Sequence, residues 1–180
     1  MEGAPPILVD SNDAMCRLFG QLTLTPTSAA EGLTGAPYAL LPLSSADRRR
    51  AQKDGWGVAW FAPGGRARVV KSARPLYEEA AKARGAARRA VSRAVIGHVR
   101  AASNPKHLPL RSILGPRNNQ PFSDGRWAFA HNGTLQIPDE VAALLGPGRR
   151  RLRSKNDSEV FFRQFLKFQA ALGDPAQALA

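Results

Sequence analysis

Two β-rich runs, Trp56 to Phe61 and Ala67 to Lys71, are separated by a segment containing Pro63-Gly64-Gly65. Glycine reaches the positive φ of a tight reversal and proline presets its own φ, so this pattern predicts a β-hairpin and therefore antiparallel pairing. Other segments read in the same local grammar. Cys16 to Leu24 alternates apolar and polar residues as a strand, and Thr25-Pro26-Thr27 is expected to end it. Tyr38 to Arg50 reads as a short helix. Leu76 to Ser92 is Ala-rich, with Glu78 and Glu79 early and Arg88 and Arg89 late, the order a helix dipole favours. Ala94 to Ala101 is a further strand, Ala102 to Arg126 a long loop, and Trp127 to His131 a fourth strand that turns at Asn132-Gly133. Asp157 is the expected N-cap of a helix running to Leu172, with Val160, Phe161, Phe165, Phe168 and Leu172 on its buried side. Strands in hairpins with flanking helices predict an α+β fold with antiparallel sheets, not a doubly wound one.

A chain of 180 residues is expected to form one domain. At that length roughly 70% of the unfolded surface is buried on folding, so neither disulfides nor a structural metal are needed to hold a core. The longest apolar runs, such as Tyr38 to Leu41 and Val58 to Ala62, fall well short of the roughly 20 residues that cross a bilayer, which predicts a soluble protein with no membrane partner. Residues 1–14 lack the basic and long apolar regions of a secretory signal, and they read as a disordered leader or a mis-assigned start. A cytoplasmic location is expected. The one cysteine, Cys16, fits a reducing compartment and is either a buried small hydrophobe or a nucleophile.

Lys and Arg number 26 against 14 Asp and Glu, a net charge of +12. The Arg clusters at 48–50, 84–93 and 149–153 are what a nucleic-acid partner would require. No aromatic residues interleave with them as a base-stacking surface needs, so a solvated basic face shaped by coding bias accounts for the charge, and nucleic acid remains the rival partner.

A thiol with a pKa near ~8.5 needs a base at neutral pH. An α-amine, with a pKa of ~7.7–8.0, serves if Cys16 is the first residue of the mature chain. Met15 precedes it directly, and Met before a small residue is the ordinary substrate of initiator-Met removal, so translation from Met15 is the expected route to that amine. Three further segments supply what such a nucleophile uses. The Asn132 amide and Gly133 N–H together suit an oxyanion hole, Arg100 at a strand end suits a carboxylate, and Asp157 suits an ammonium group. Each also has an ordinary reading: Asn-Gly as a turn, Asp157 as a plain cap, Arg100 as a surface or ion-paired residue. His98 and His131 lack metal-ligand spacing and read as satisfied histidines of the core or behind the site, and Trp56 and Trp127 as core aromatics.

Six blocks occur in order: Met15 to Gly20, Asp54 to Ala59, Gly97 to Ser103, Asn119 to Phe122, Trp127 to Gly133, and Ser154 to Glu159. Together they make the chain resemble the class II glutamine amidotransferases of the N-terminal nucleophile hydrolase superfamily, in particular the small stand-alone type. The resemblance spans Met15 to Leu172, so residues 15–180 read as one amidotransferase domain. It implies that Cys16 is the nucleophile and its α-amine the base, that Asn132 and Gly133 form the oxyanion hole, and that Arg100, Ser103, His131 and Asp157 contact substrate. The implied reaction cleaves the side-chain amide of glutamine or a γ-glutamyl amide through a thioester, with no cofactor or metal and an unidentified ammonia acceptor. The alternatives are an inactive relative and a non-enzymatic basic protein that binds nucleic acid. The implied fold is a four-layer αββα sandwich. Stand-alone relatives continue beyond the helix after Asp157, so the chain is expected to be truncated at its C-terminal end.

Overall fold

The computed structural model describes residues 15–102, 104 and 108–179. The expected leader at 1–14, and Ser103, lie outside the described residues. Strands β1 (Arg17–Ser28), β2 (Trp56–Phe61), β3 (Ala67–Ser72) and β4 (Val91–Val99) form one antiparallel sheet in the order β1-β4-β2-β3. The β2–β3 hairpin has the predicted register, with Trp56 opposite Ser72 and Phe61 opposite Ala67. β1 does not end at Pro26. Its pairing with β4 shifts register between Leu22 and Thr27 and resumes at Thr27 and Ser28. Proline is tolerated there because β1 is an edge strand with a bulge, where a missing N–H leaves no ladder bond unmade.

Alternation divides the sheet into two faces. Trp56, Val58, Val95 and Val99 point to the first face and pack with Leu33, Leu40 and the Ala83, Ala86 and Ala87 stripe of helix α2 (Ala80–Arg89). Alanines at i, i+3 and i+4 let that helix lie close to the sheet. The predicted helix over Leu76 to Ser92 is shorter at both ends. Leu76–Glu79 forms a 3-10 turn, and Val91 already pairs with Ser28, so strand pairing overrides helical propensity at its C-terminal end. The helix expected over Tyr38 to Arg50 breaks into α1 (Leu40–Leu43) and a 3-10 turn at Arg48–Arg50, which Asp47 caps by accepting from Arg49 N at 2.9 Å.

On the second face a row crosses the sheet at one register: Leu18, His98, Gly57 and Lys71. The carbonyl of Gln120 presses on Gly57 so closely that a Cβ there would collide with it. The Lys71 ammonium lies 4.7 Å from the centre of the Phe122 ring. The long loop expected over 102–126 is only partly irregular. It contains α3 (Leu110–Ile113), a 3-10 turn at Pro116–Asn118 and β5 (Phe122–Ser123), which pairs with β6 (Ala128–Phe129). β6 is thus shorter than the strand expected over Trp127 to His131.

Helix α4 (Pro138–Leu144) is followed by α5 (Asp157–Leu172). A second apolar cluster joins β5 and β6 to α5 through Phe122, Phe162 and Phe165, with Trp127 edge-on to Phe165 at 5.3 Å. Two expectations for α5 are corrected. Its N-cap is Asn156, whose side chain accepts from Ser158 N at 2.9 Å, and Asp157 is the first helical residue. Its buried side runs through Val160, Phe162 and Phe165, whereas Phe168 and Leu172 are 43% and 51% exposed. Among the described residues no helix is long and apolar enough to cross a membrane.

Candidate functional site

The β1–β4 register opposes Arg17 to Val99, which carries Cys16 alongside the residues that follow β4. The thiol sits on the backbone of Ala101: Sγ donates to Ala101 O at 3.3 Å and accepts from Ala101 N at 3.4 Å. Burial pushes the Cys16 thiol up from its ordinary pKa, and Asp54 adds to this. The Ala101 amide and the Arg100 guanidinium oppose it. In the chain as written the Cys16 nitrogen belongs to the peptide bond with Met15.

Arg100 is fixed at both its ends. Its backbone continues the β2–β4 ladder, with Arg100 N donating to Gly55 O at 2.8 Å and Asp54 N to Arg100 O at 3.2 Å. Asp54 then accepts from Ala102 N at 2.7 Å and holds the chain just past the strand. The guanidinium is buried, and its Nη1 donates to Ile113 O at 2.7 Å and to Asn119 Oδ1 at 3.5 Å. No carboxylate pairs with it among the described residues, so this arginine is neither the surface residue nor the ion-paired one of its ordinary reading. Asn119 is itself anchored to β3, donating to Ser72 O at 2.6 Å.

The His131-Asn132-Gly133 turn lies across from these groups. Asn132 Nδ2 donates to the Cys16 carbonyl at 3.3 Å, so the amide stands next to the cysteine 116 positions away in sequence. His131 Nδ1 lies 3.2 Å from Ser158 Oγ, and its ring meets Phe161 edge-on at 5.3 Å. Asp157 accepts from Leu135 N at 2.6 Å and ties the residues after the turn to the start of α5. The segment preceding α5 is braced by the buried carboxylate of Glu159, which accepts from Arg153 N, Ser154 N and the Ser154 hydroxyl at 2.7–3.1 Å.

Cys16, Arg100, His131, Gly133 and Asp157 line one cleft of about 690 Å³. Five of the sequence-predicted site residues therefore line one cavity, and Asn132 donates to the Cys16 carbonyl. His98, expected to be a satisfied histidine, is fully buried with neither ring nitrogen hydrogen-bonded among the described residues. Sequence reasoning assigned no role to Asp54, Asn119 or Gln120, although all three lie in the quoted blocks. Each acts on the backbone of a distant segment, a bond that no local spacing reports. Among the described residues no group of three or more His, Cys, Asp or Glu is placed to hold a metal.

Residues 15–178 match the family model of the class-II glutamine amidotransferases. The chain belongs to that family. Over 125 residues it is 36% identical to the gamma-glutamyl-hercynylcysteine sulfoxide hydrolase of Mycolicibacterium smegmatis, an alignment covering 67% of this chain and 52% of that protein. The chain thus spans about half the length of this curated relative. As in the sequence reading, the amidotransferase match begins at Met15, directly before the cysteine, and takes in every block that lines the cleft.

Proposed function

We propose that this class II amidotransferase relative hydrolyses a γ-glutamyl amide, with Cys16 as the nucleophile. The observation that supports this best is the shared cleft, which Cys16 lines together with a buried arginine, a helix-start aspartate and Gly133. In this reading the mature chain begins at Cys16, and its α-amine takes the thiol proton. The sulfur attacks the side-chain carbonyl carbon, and the oxyanion is held by Asn132 Nδ2–H and Gly133 N–H. Collapse of the tetrahedral species breaks the C–N bond, and the amine departs with the proton. Water then attacks the thioester and releases glutamate and the thiol. Arg100 receives the α-carboxylate, Asp157 the α-ammonium, and Ser103 and His131 border the same end of the substrate.

Water is the acceptor in this scheme, so no ammonia-consuming partner enters it. The curated relative, named as a hydrolase of a γ-glutamyl compound, favours a conjugate over glutamine as substrate. A cytoplasmic setting suits a single cysteine that must stay reduced. We also read residues 15–180 as the catalytic domain and its layering as αββα. The helices on the first face of the sheet and α5 outside the β5–β6 ribbon support that order.

The test is release of glutamate or ammonia from glutamine and from γ-glutamyl amides by protein beginning at Cys16. Activity that Cys16→Ala abolishes is expected. Turnover of equal rate in Cys16→Ala protein would overturn the proposal, and so would a native mature protein whose intact mass shows that Met15 is retained.

A further inference from the structure

The cleft is larger than a free amino acid requires, since volumes of several hundred Å³ ordinarily house drug-sized ligands. Among the described residues its charges fall into two sets. Arg100 and Asp157 are opposite in sign and line the cleft together with Cys16, matched to the two charged groups of a glutamyl moiety. Part of the remaining lining comes from α4, the 3-10 turn that follows it (Gly146–Arg151) and the segment before α5, and these carry Asp139, Arg149 and Lys155. Asp139 already has an interaction of its own. Arg149 and Lys155 are exposed, and neither pairs with a carboxylate among the described residues. Leu135 and Leu152 line the same cavity and add apolar surface. Of the run Arg149-Arg150-Arg151 only Arg149 lines the cleft.

We propose that Arg149 and Lys155 select γ-glutamyl amides whose amine portion carries an anionic group, a carboxylate above all, on an apolar body. The proposal rests on the γ-glutamyl hydrolase reading and deepens it by naming the substrate class. Two cations in a cleft that Leu135 and Leu152 also line favour such a leaving group through charge-assisted hydrogen bonds, while ammonia and uncharged amines leave both cations without a partner. Selectivity then resides in the part of the substrate that departs, away from the thioester.

The experiment measures calorimetric binding of γ-glutamyl-phenylalanine and of its C-terminal carboxamide to protein carrying Cys16→Ala, so that neither ligand is consumed. The free carboxylate is expected to bind about tenfold or more tightly than the carboxamide. That ratio should fall towards one in Arg149→Gln/Lys155→Gln protein and persist in Arg150→Gln/Arg151→Gln protein, which removes the same charge outside the cleft. Equal affinities for the two ligands, no binding of either, or a preference that survives Arg149→Gln/Lys155→Gln would overturn the inference. These outcomes are separate from the hydrolysis assay: turnover without carboxylate preference defeats only the substrate class, and carboxylate-selective binding without turnover defeats only the hydrolase reading.

Discussion

The side chain of Gln120 grips both backbone polar groups of His131, accepting from His131 N at 2.6 Å and donating through Nε2 to His131 O at 3.0 Å. A side-chain amide thereby does what a neighbouring strand does elsewhere in a sheet, two residues past the end of β6 at Phe129. Gln120 is 3% exposed, and Nε2 also reaches Ser158 Oγ at 3.3 Å, so turn and helix start share one anchor.

Gln120→Leu keeps the bulk and deletes both bonds. Leaving two backbone groups of a half-buried turn unpaired costs about 2 kcal/mol or more, read as a lower urea midpoint. If Asn132 and Gly133 hold the oxyanion, kcat for γ-glutamyl amide hydrolysis should fall at least about tenfold with a smaller change in KM, because the displaced donors act in the transition state. A stability loss with kcat intact would separate Gln120 from the chemistry.

Burial holds the Cys16 thiol above its ordinary pKa while Met15 is attached. Alkylation by iodoacetamide near neutral pH should therefore be slower than for a free thiol, and should climb only at pH values above the usual thiol range. Removing Met15 places an α-ammonium beside the sulfur, which favours the thiolate and moves the rate profile to lower pH. Rate-versus-pH curves for the Met15-retaining and Cys16-initiated proteins check this. Superimposable curves would show that the amine does not act on the sulfur.

Several parts of this arrangement were legible in the sequence. The β2–β3 hairpin was, because Pro63-Gly64-Gly65 constrains φ locally, and the span of α5 was, because its apolar residues recur at helical spacing. The buried side of α5 was only half legible. The two-residue strands meet the helix at Phe161, Phe162 and Phe165, which leaves Phe168 and Leu172 exposed despite their helical spacing. The cysteine, arginine and helix-start aspartate were visible as an ordered set of blocks. The groups that hold them were not, since Asn119 reaches Ser72 across 47 positions and Gln120 reaches Ser158 across 38. Such bonds depend on how sheets and loops stack, not on neighbours along the chain.

Gly57 tests that stacking. A Cβ there would collide with the Gln120 carbonyl and lie 3.1 Å from Pro121 Cδ, contacts with backbone and ring that cannot swing aside. Gly57→Ala is expected to destabilise the protein by about 1–3 kcal/mol through overpacking. By lifting Gln120 it should also lower turnover further than the stability loss accounts for at temperatures where the protein is folded. Thermal melting together with kcat checks both. An unchanged melting temperature would mean that the loop does not bear on β2.

His98 gives the protein a defined response to acid. Burial lowers its pKa to about 4, and the positive charges of Arg100, His131 and Lys71 push in the same direction. In the unfolded chain the same group titrates near ~6.5. Between those values the unfolded state binds a proton that the folded state excludes, so stability is flat above the window and declines as pH falls through it. The span corresponds to a loss on the order of 3 kcal/mol. Glu79, whose burial raises its carboxyl pKa but whose hydrogen bonds to Ser72, Trp56 and Lys82 together with the Lys82 charge outweigh that and hold it below its ordinary value, adds acid sensitivity of the same sign. Lys71, lowered by burial to about 8, responds only in alkali. His98→Leu removes the titrating ring while leaving both of the others in place. Urea midpoints measured from pH 7 to pH 4.5 should therefore fall steeply in the parent and clearly less in the variant, and parallel declines would show that His98 takes up its proton without unfolding the chain.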